Sequence, residues 1–178
     1  MEIERKFLLK ELPAELDKYY HEEIEQGYLC VNPVVRVRRQ GDNYYLTYKG
    51  SGMLAREEYN LPLTRESYDH LIEKADGYVI KKTRYLIGVE EFSCWSIPHE
   101  PKCYTHSDVG DGRIIELDIF HESMDGLILA EIEFSSKEQA DAFKIPDSFL
   151  ADVTYDEHYH NSYMSRHGYT QKTSKTPC

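Results

Sequence analysis

The chain has 178 residues, of which 40% are hydrophobic and 30% are charged. This length suits one substantial core, so we expect a single domain over 1–168 and a disordered polar tail over 169–178. The formal net charge of -11 argues against a nucleic-acid partner or an anionic membrane, because both are bound by positive surfaces. The sequence has no membrane-spanning apolar run and no signal-peptide character, so we expect a cytoplasmic protein.

Alternation of apolar and polar residues, interrupted by turn residues, predicts eight strands. They are expected at about 1–9, 27–31, 34–40, 43–49, 54–61, 78–89, 113–121 and 127–135. Helical periodicity and capping residues predict three helices. They are expected at about 64–75, 136–144 and 155–167. Eight strands suit an α+β fold in which an antiparallel sheet closes into a β-barrel and the helices pack outside it.

The charged residues of these strands share one face. Because side chains alternate along a strand, Glu2, Glu4 and Lys6 lie together, whereas Arg5 and, further on, Arg39 fall on the other face as surface charges. The same spacing places further basic residues on the shared face: Arg36, Arg38, Lys49, Arg56, Lys82 and Arg84. It also places acidic residues there: Glu58, Glu116, Asp118, Glu131 and Glu133.

This charged face has two interpretations. Many antiparallel sheets have one apolar face against helices and one charged face in water. Here, Arg36-x-Arg38 and Lys82-x-Arg84 set like charges two residues apart, which costs stability unless an anion neutralises them. If the sheet closes, seven basic residues line its lumen and face one polyanion. The clustering therefore favours a binding surface.

The ordered set of charged pairs resembles the CYTH superfamily, the triphosphate tunnel metalloenzymes, from Met1 to about Arg166. The superfamily includes class IV adenylyl cyclases, thiamine triphosphatases and inorganic triphosphatases. The segment from Asp152 to Asn161 also resembles the family's closing helix, which seals one end of the tunnel.

The resemblance implies roles for these residues. Glu2, Glu4 and Glu133 would bind Mg²⁺ or Mn²⁺, which prefer carboxylate oxygens. The phosphates would be bound by Lys6, Arg36, Arg38, Lys49, Arg56, Lys82 and Arg84. The catalytic residues would be Glu2, Glu4 and Lys6. Either the metal, or Glu2 or Glu4 as general base, would activate a water that attacks the terminal phosphorus in line. Contacts to these ligands, or a second metal site, would come from Glu58, Glu116, Asp118 and Glu131. Glu58 alternatively pairs with a neighbouring base.

The leading functional hypothesis is a metal-dependent hydrolase that cleaves the terminal phosphate of inorganic tripolyphosphate, because the sequence shows no recognition set for an organic group. The enzymatic alternatives are a class IV adenylyl cyclase and a nucleoside or thiamine triphosphatase. An alternative of another class is a non-catalytic module that binds polyphosphate or nucleotides, although such a module has little use for carboxylates beside phosphate. The sequence does not determine the metal or the oligomeric state.

Two features stay outside this predicted site. Residues 93–112 lack periodicity and predict a long loop, which departs from the family pattern and is placed to shape the tunnel mouth. Its Cys94, His99, Cys103 and His106 fit no standard zinc spacing. His158 and His160 are interpreted as packing or helix-surface residues.

Overall fold

The structure is a computed structural model that describes residues 2–9, 11–13, 15–51, 55–89, 113–146 and 148–169. The side chains of Glu2, Ala55 and Arg56 are not part of that description. The predicted loop 93–112, with its Cys and His residues, and the tail from 170 onward lie outside the described residues.

The described residues form ten strands and three α-helices. The strands are β1 (Glu2–Leu9), β2 (His21–Val31), β3 (Val34–Gln40), β4 (Asn43–Lys49), β5 (Ala55–Arg56), β6 (Glu58–Pro62), β7 (Asp76–Gly88), β8 (Ile114–Phe120), β9 (Ile128–Glu133) and β10 (Phe149–Asp152). The helices are α1 (Arg65–Ile72), α2 (Lys137–Ala142) and α3 (Asn161–His167). Short 3₁₀ turns lie at Leu16–Lys18, Glu122–Met124 and Glu157–Tyr159.

All strand pairs are antiparallel, in the order β10-β1-β9-β8-β7-β2-β3-β4-β6. β6 pairs with β4, whereas β5, one residue earlier in the chain, pairs with β1 at Glu2↔Arg56. The sheet therefore curls back towards β1 but is not closed, and the predicted closed eight-stranded barrel is wrong in this detail. The physical reason is that the predicted strand 54–61 is divided at Glu57 into two pieces with different partners.

Three further boundaries differ from the prediction. β2 begins at His21 rather than 27, because its acidic start does not show simple apolar alternation. β10 was not predicted and adds an edge strand beside β1. The predicted helix 155–167 is a 3₁₀ turn followed by α3, which begins only at Asn161.

One core lies between the outer face of the sheet and α2. Phe7, Ile115, Leu117 and Ile132 are fully buried there and pack with Ala140 of α2. Burial of each large apolar side chain contributes about 1.5–3 kcal/mol. Two helices begin at capping residues: the Thr64 hydroxyl accepts a hydrogen bond from the Ser67 amide at the start of α1, and Ser136 caps α2 similarly.

A second core fills one end of the inner face. Tyr28, Ile80, Phe120 and Leu129 lie at the same end of their strands and pack with Met164 of α3. The inner face is therefore apolar at this end, and α3 covers it. The charged part of the inner face begins immediately beyond this core.

The close approach of β7 and α3 requires glycine at position 77. Gly77 has a φ of 72°, and a Cβ there would lie 2.2 Å from the Ser165 carbonyl oxygen. Both the left-handed backbone and the lack of space exclude a side chain.

No helix among the described residues is long and apolar enough to cross a membrane.

Candidate functional site

A cavity of about 240 Å³ lies on the charged part of the inner face. Ten of the residues predicted for the site line it: Glu4, Lys6, Arg36, Arg38, Lys49, Glu58, Arg84, Glu116, Glu131 and Glu133. The strand register explains this, because residues paired across neighbouring strands project from the same face of the sheet. Residues distant in sequence thus meet in one cavity.

The other four predicted residues are not placed in the cavity wall. Glu2 and Arg56 pair through their backbones at the β1–β5 contact, and their side chains lie outside the description. Lys82 and Asp118 are fully buried and form an ion pair with each other behind the cavity surface. Burial, followed by the positive charge of Arg84, lowers the pKa of Lys82 to about 8.

Arg36, Arg38 and Lys49, on β3 and β4, form what we call the basic wall. The Nε of Arg38 donates to the Gln26 side-chain oxygen at 2.9 Å. The Nε of Arg36 is buried and has no hydrogen-bond partner among the described residues. Burial and the neighbouring Arg38 lower the pKa of the Arg36 guanidinium. The two arginines therefore present positive charge that no carboxylate in the described residues neutralises by an ion pair.

Lys49 differs from the two arginines because it pairs with Glu58 across β4 and β6. Burial opposes ionisation of Glu58, but Lys49 outweighs it and lowers the pKa of that carboxyl to about 2. This contact supports the interpretation of Glu58 as an ion-pair partner of a neighbouring base.

The opposite side of the cavity is acidic. We call it the acidic wall, and its carboxylates are Glu4, Glu116, Glu131 and Glu133. Lys6 lies among them, with its Nζ 3.0 Å from Glu4 and in contact with Glu131. Burial opposes the charge of Lys6, but Glu131 and Glu4 raise its pKa above the usual value. Although burial favours a neutral Glu131, Lys6 holds the pKa of that carboxyl well below its usual range.

Arg84 joins three carboxylates of β8 and β9. Its Nε lies 2.7 Å from Asp118 Oδ1, and its Nη2 lies 2.6 Å from both Asp118 Oδ2 and Glu131 Oε2. Its Nη1 contacts Glu116. The cavity thus has two chemically different sides. On the basic wall, Arg36 and Arg38 have no ion-pair partner among the described residues. On the acidic wall, the carboxylates of Glu4, Glu116 and Glu131 pair with Lys6 or Arg84.

Residues 1–150 match the CYTH domain family. The chain belongs to the CYTH family. An inorganic triphosphatase of Nitrosomonas europaea is 32% identical over 167 residues, which cover 92% of this chain and 96% of that protein. The crystal structure of an inorganic triphosphatase superposes with a TM-score of 0.61 and 29% identity, covering 93% of this chain and 94% of that one. These findings confirm the predicted family and its antiparallel sheet with outer helices.

The CYTH resemblance implies a divalent cation, and the donor chemistry of the acidic wall suits one. Glu4 and Glu133 are paired in register and both line the cavity. Carboxylate oxygens are the ligands that hard cations prefer. Within the described ranges, no group of three or more His, Cys, Asp or Glu side chains is arranged to hold a metal ion. The trio Glu2, Glu4 and Glu133 therefore stays a prediction.

Sequence reasoning missed the contribution of the closing segment. His160, Asn161 and Ser162 line the cavity beside the apolar core. The His160 Nε2 lies 3.1 Å from the Thr154 carbonyl oxygen, and the Thr154 hydroxyl accepts from the Lys6 amide. The signal for this placement was the family-like segment from Asp152 to Asn161, which Thr154 ties to β1.

Proposed function

We propose that this protein hydrolyses inorganic tripolyphosphate, with the help of a divalent cation, to orthophosphate and diphosphate. The observation that carries the proposal is the basic wall, in which Arg36 and Arg38 project buried positive charge into a cavity with carboxylates opposite. Such a cavity suits a polyanion and a cation together, because neither side alone is neutral. The inorganic triphosphatase that is 32% identical supports the choice of substrate.

Cavity size favours an inorganic substrate. The volume of about 240 Å³ lies below the roughly 300–1,000 Å³ of pockets that enclose drug-sized ligands. α3 and its apolar core close one end, so the substrate enters from the end where Gln40 and Glu133 lie. A linear triphosphate needs only polar contacts along this length.

The chemistry that we propose begins with orientation. Arg36 and Arg38 bind phosphate oxygens, since a guanidinium matches two oxygens at once. Glu2, Glu4 and Glu133 would hold Mg²⁺ or Mn²⁺, which when bound supplies positive charge to the phosphate oxygens. A water attacks the terminal phosphorus in line with the leaving diphosphate oxygen, and its proton passes to the carboxylate of Glu4 or Glu2. Lys6, 3.0 Å from Glu4, keeps that carboxylate oriented.

A second candidate is a triphosphate that carries an organic group. A shallower depression of about 390 Å³ adjoins the entrance and shares Gln40 and Tyr45 with the cavity. Tyr44, Asn43 and Pro62 also line it, and flat or amide groups of this kind contact a heteroaromatic ring favourably. ATP or thiamine triphosphate would place its phosphates in the cavity and its organic group in this depression.

The test measures phosphate release from tripolyphosphate, ATP and thiamine triphosphate with Mg²⁺, Mn²⁺ or EDTA, together with any cyclic AMP formed from ATP. We expect metal-dependent release that is fastest with tripolyphosphate. Arg36→Met should abolish most of it, whereas Arg39→Met, on the same strand but on the outer face, should retain it. Faster turnover of ATP would favour the second candidate, and tight binding without turnover would favour a binding module.

A further inference from the structure

We propose that Arg84 is a positioning residue that organises the acidic wall and does not bind the substrate's phosphates. This inference rests on the proposed function. It departs from the simple expectation that all the basic residues of the inner face surround the polyanion. The evidence is the number of N–H donors that remain available on each arginine.

A guanidinium has five N–H donors. Arg84 directs four of them to carboxylates: Nε to Asp118, both hydrogens of Nη2 to Asp118 and Glu131, and one of Nη1 to Glu116. One donor remains, which is too few for a bidentate contact to a phosphate. Arg84 is therefore nearly saturated by protein oxygens before any ligand arrives.

Arg36 and Arg38 have the opposite character. Only the Nε of Arg38 has a hydrogen-bond partner, Gln26, and among the described residues no hydrogen bond joins the Nη atoms of either arginine to the protein. Both side chains are buried and line the cavity. They can accordingly offer bidentate contacts to phosphate without first breaking an ion pair.

A phosphate could recruit Arg84 only by displacing its carboxylates. Asp118 has no exposed surface and also contacts Lys82, while Glu131 is 5% exposed and also contacts Lys6. A carboxylate that loses its partner at such depth keeps the cost of burial without the compensating contact. The network should therefore stay intact when a polyphosphate binds.

The same network leads to the expected cation ligands. Glu131 connects Arg84 to Lys6, and Lys6 contacts Glu4. Glu116 of β8 is paired in register with Glu131 of β9. Glu131 lies two positions before Glu133 on β9, so their side chains share one face. Arg84 thus fixes the spacing of carboxylates that would otherwise repel one another, and cation binding depends on that spacing.

The experiment compares Arg84→Lys with Arg36→Lys, because this matched change keeps the charge and removes the planar guanidinium. Calorimetry measures binding of imidotriphosphate, a non-hydrolysable triphosphate, in EDTA, and paramagnetic resonance measures binding of Mn²⁺ alone. We expect Arg36→Lys to weaken imidotriphosphate binding by roughly tenfold and to leave Mn²⁺ binding unchanged. Arg84→Lys should leave imidotriphosphate binding within about twofold, weaken Mn²⁺ binding by more than about threefold, and lower kcat rather than raise KM.

Equal loss of imidotriphosphate binding in the two variants would overturn the proposal, as would unchanged Mn²⁺ binding in Arg84→Lys. If Arg84→Lys does not fold, ¹⁵N spectra of the arginine Nε groups in the wild-type protein decide the matter. The Arg84 signal should not move on addition of imidotriphosphate in EDTA, whereas the Arg36 signal should move, and the reverse would refute the inference. Failure of the proposed function would show differently, as bound triphosphate that wild-type protein does not hydrolyse with any metal.

Discussion

Replacement of Arg36 by methionine should separate stability from ligand binding. Arg36 is 4% exposed, and its Nε has no hydrogen-bond partner among the described residues. Its lowered pKa, caused by burial and by Arg38, indicates that the ligand-free fold disfavours this positive charge. Methionine keeps much of the apolar length and removes the charge, so we expect the free energy of unfolding to stay the same or to rise by about 1 kcal/mol.

Binding should change in the opposite direction. A hydrogen bond to a charged group contributes about 1.5–3 kcal/mol, so loss of a bidentate contact should cost about 3 kcal/mol. Because 1.4 kcal/mol corresponds to a factor of ten, affinity for imidotriphosphate should fall by roughly 100-fold. Calorimetric titration measures this affinity, and urea unfolding without ligand measures the stability.

Arg84→Met provides the contrasting variant. It leaves Glu116, Asp118 and Glu131 without a shared partner, which should destabilise the protein by about 3–5 kcal/mol. If instead Arg36→Met destabilises the ligand-free protein by several kcal/mol and binds imidotriphosphate like the wild type, Arg36 is a structural residue and the reasoning is wrong.

Three other changes test the fold and the site. Gly77→Ala should destabilise the protein by more than about 2 kcal/mol and increase hydrogen exchange in α3, because alanine would adopt a strained left-handed backbone and its Cβ would clash with the Ser165 carbonyl. Gly41→Ala, where the nearest atom is 3.4 Å away, should cost only about 1 kcal/mol, and equal losses in the two variants would contradict this account. The ion pair of Glu58 with Lys49 should stabilise the fold at neutral pH and lose that effect as the pH falls from 4.5, the usual pKa of a glutamate, towards about 2, because the pKa of Glu58 is lower in the folded state. Urea midpoints of wild type and Glu58→Gln should therefore differ less at pH 3.5 than at pH 6, and a constant difference would rule out a stabilising ion pair. Removal of divalent cations with EDTA should stop phosphate release, and added Mg²⁺ or Mn²⁺ should restore it; release that persists in EDTA would exclude a metal requirement.

The face of the sheet on which each side chain lies was the part of the site that the sequence could predict. Side chains of a strand alternate between faces, so the positions of Arg36, Arg38 and Glu131 on the inner face followed once the strands were recognised. The same rule placed Arg5 on the outer face, where its Nη1 donates to the Ala140 carbonyl oxygen at 2.8 Å and its Nη2 contacts Asp152. Arg5 was expected as a surface charge, and it instead fastens α2 and β10 to β1.

Depth and pairing could not be predicted in this way. Lys82 lies on the same face of the sheet as the cavity residues. It is nevertheless buried behind the cavity surface, because Asp118 of the neighbouring strand provides a fully buried ion-pair partner. His160 was set aside as a packing or helix-surface residue, because its local pattern alone does not show that the segment before α3 folds back against β1 through Thr154. The division at Glu57 depends equally on distant strands, since β5 pairs with β1 and β6 with β4.

The most direct test of the central claim is a ³¹P spectrum of tripolyphosphate incubated with the wild-type protein and Mg²⁺ or Mn²⁺. The proposed function requires that the tripolyphosphate signals disappear while orthophosphate and diphosphate appear in equal amounts, with no change in EDTA. Tripolyphosphate signals that persist with both cations, in the presence of protein that binds imidotriphosphate, would contradict hydrolysis and leave a cavity that only binds the anion.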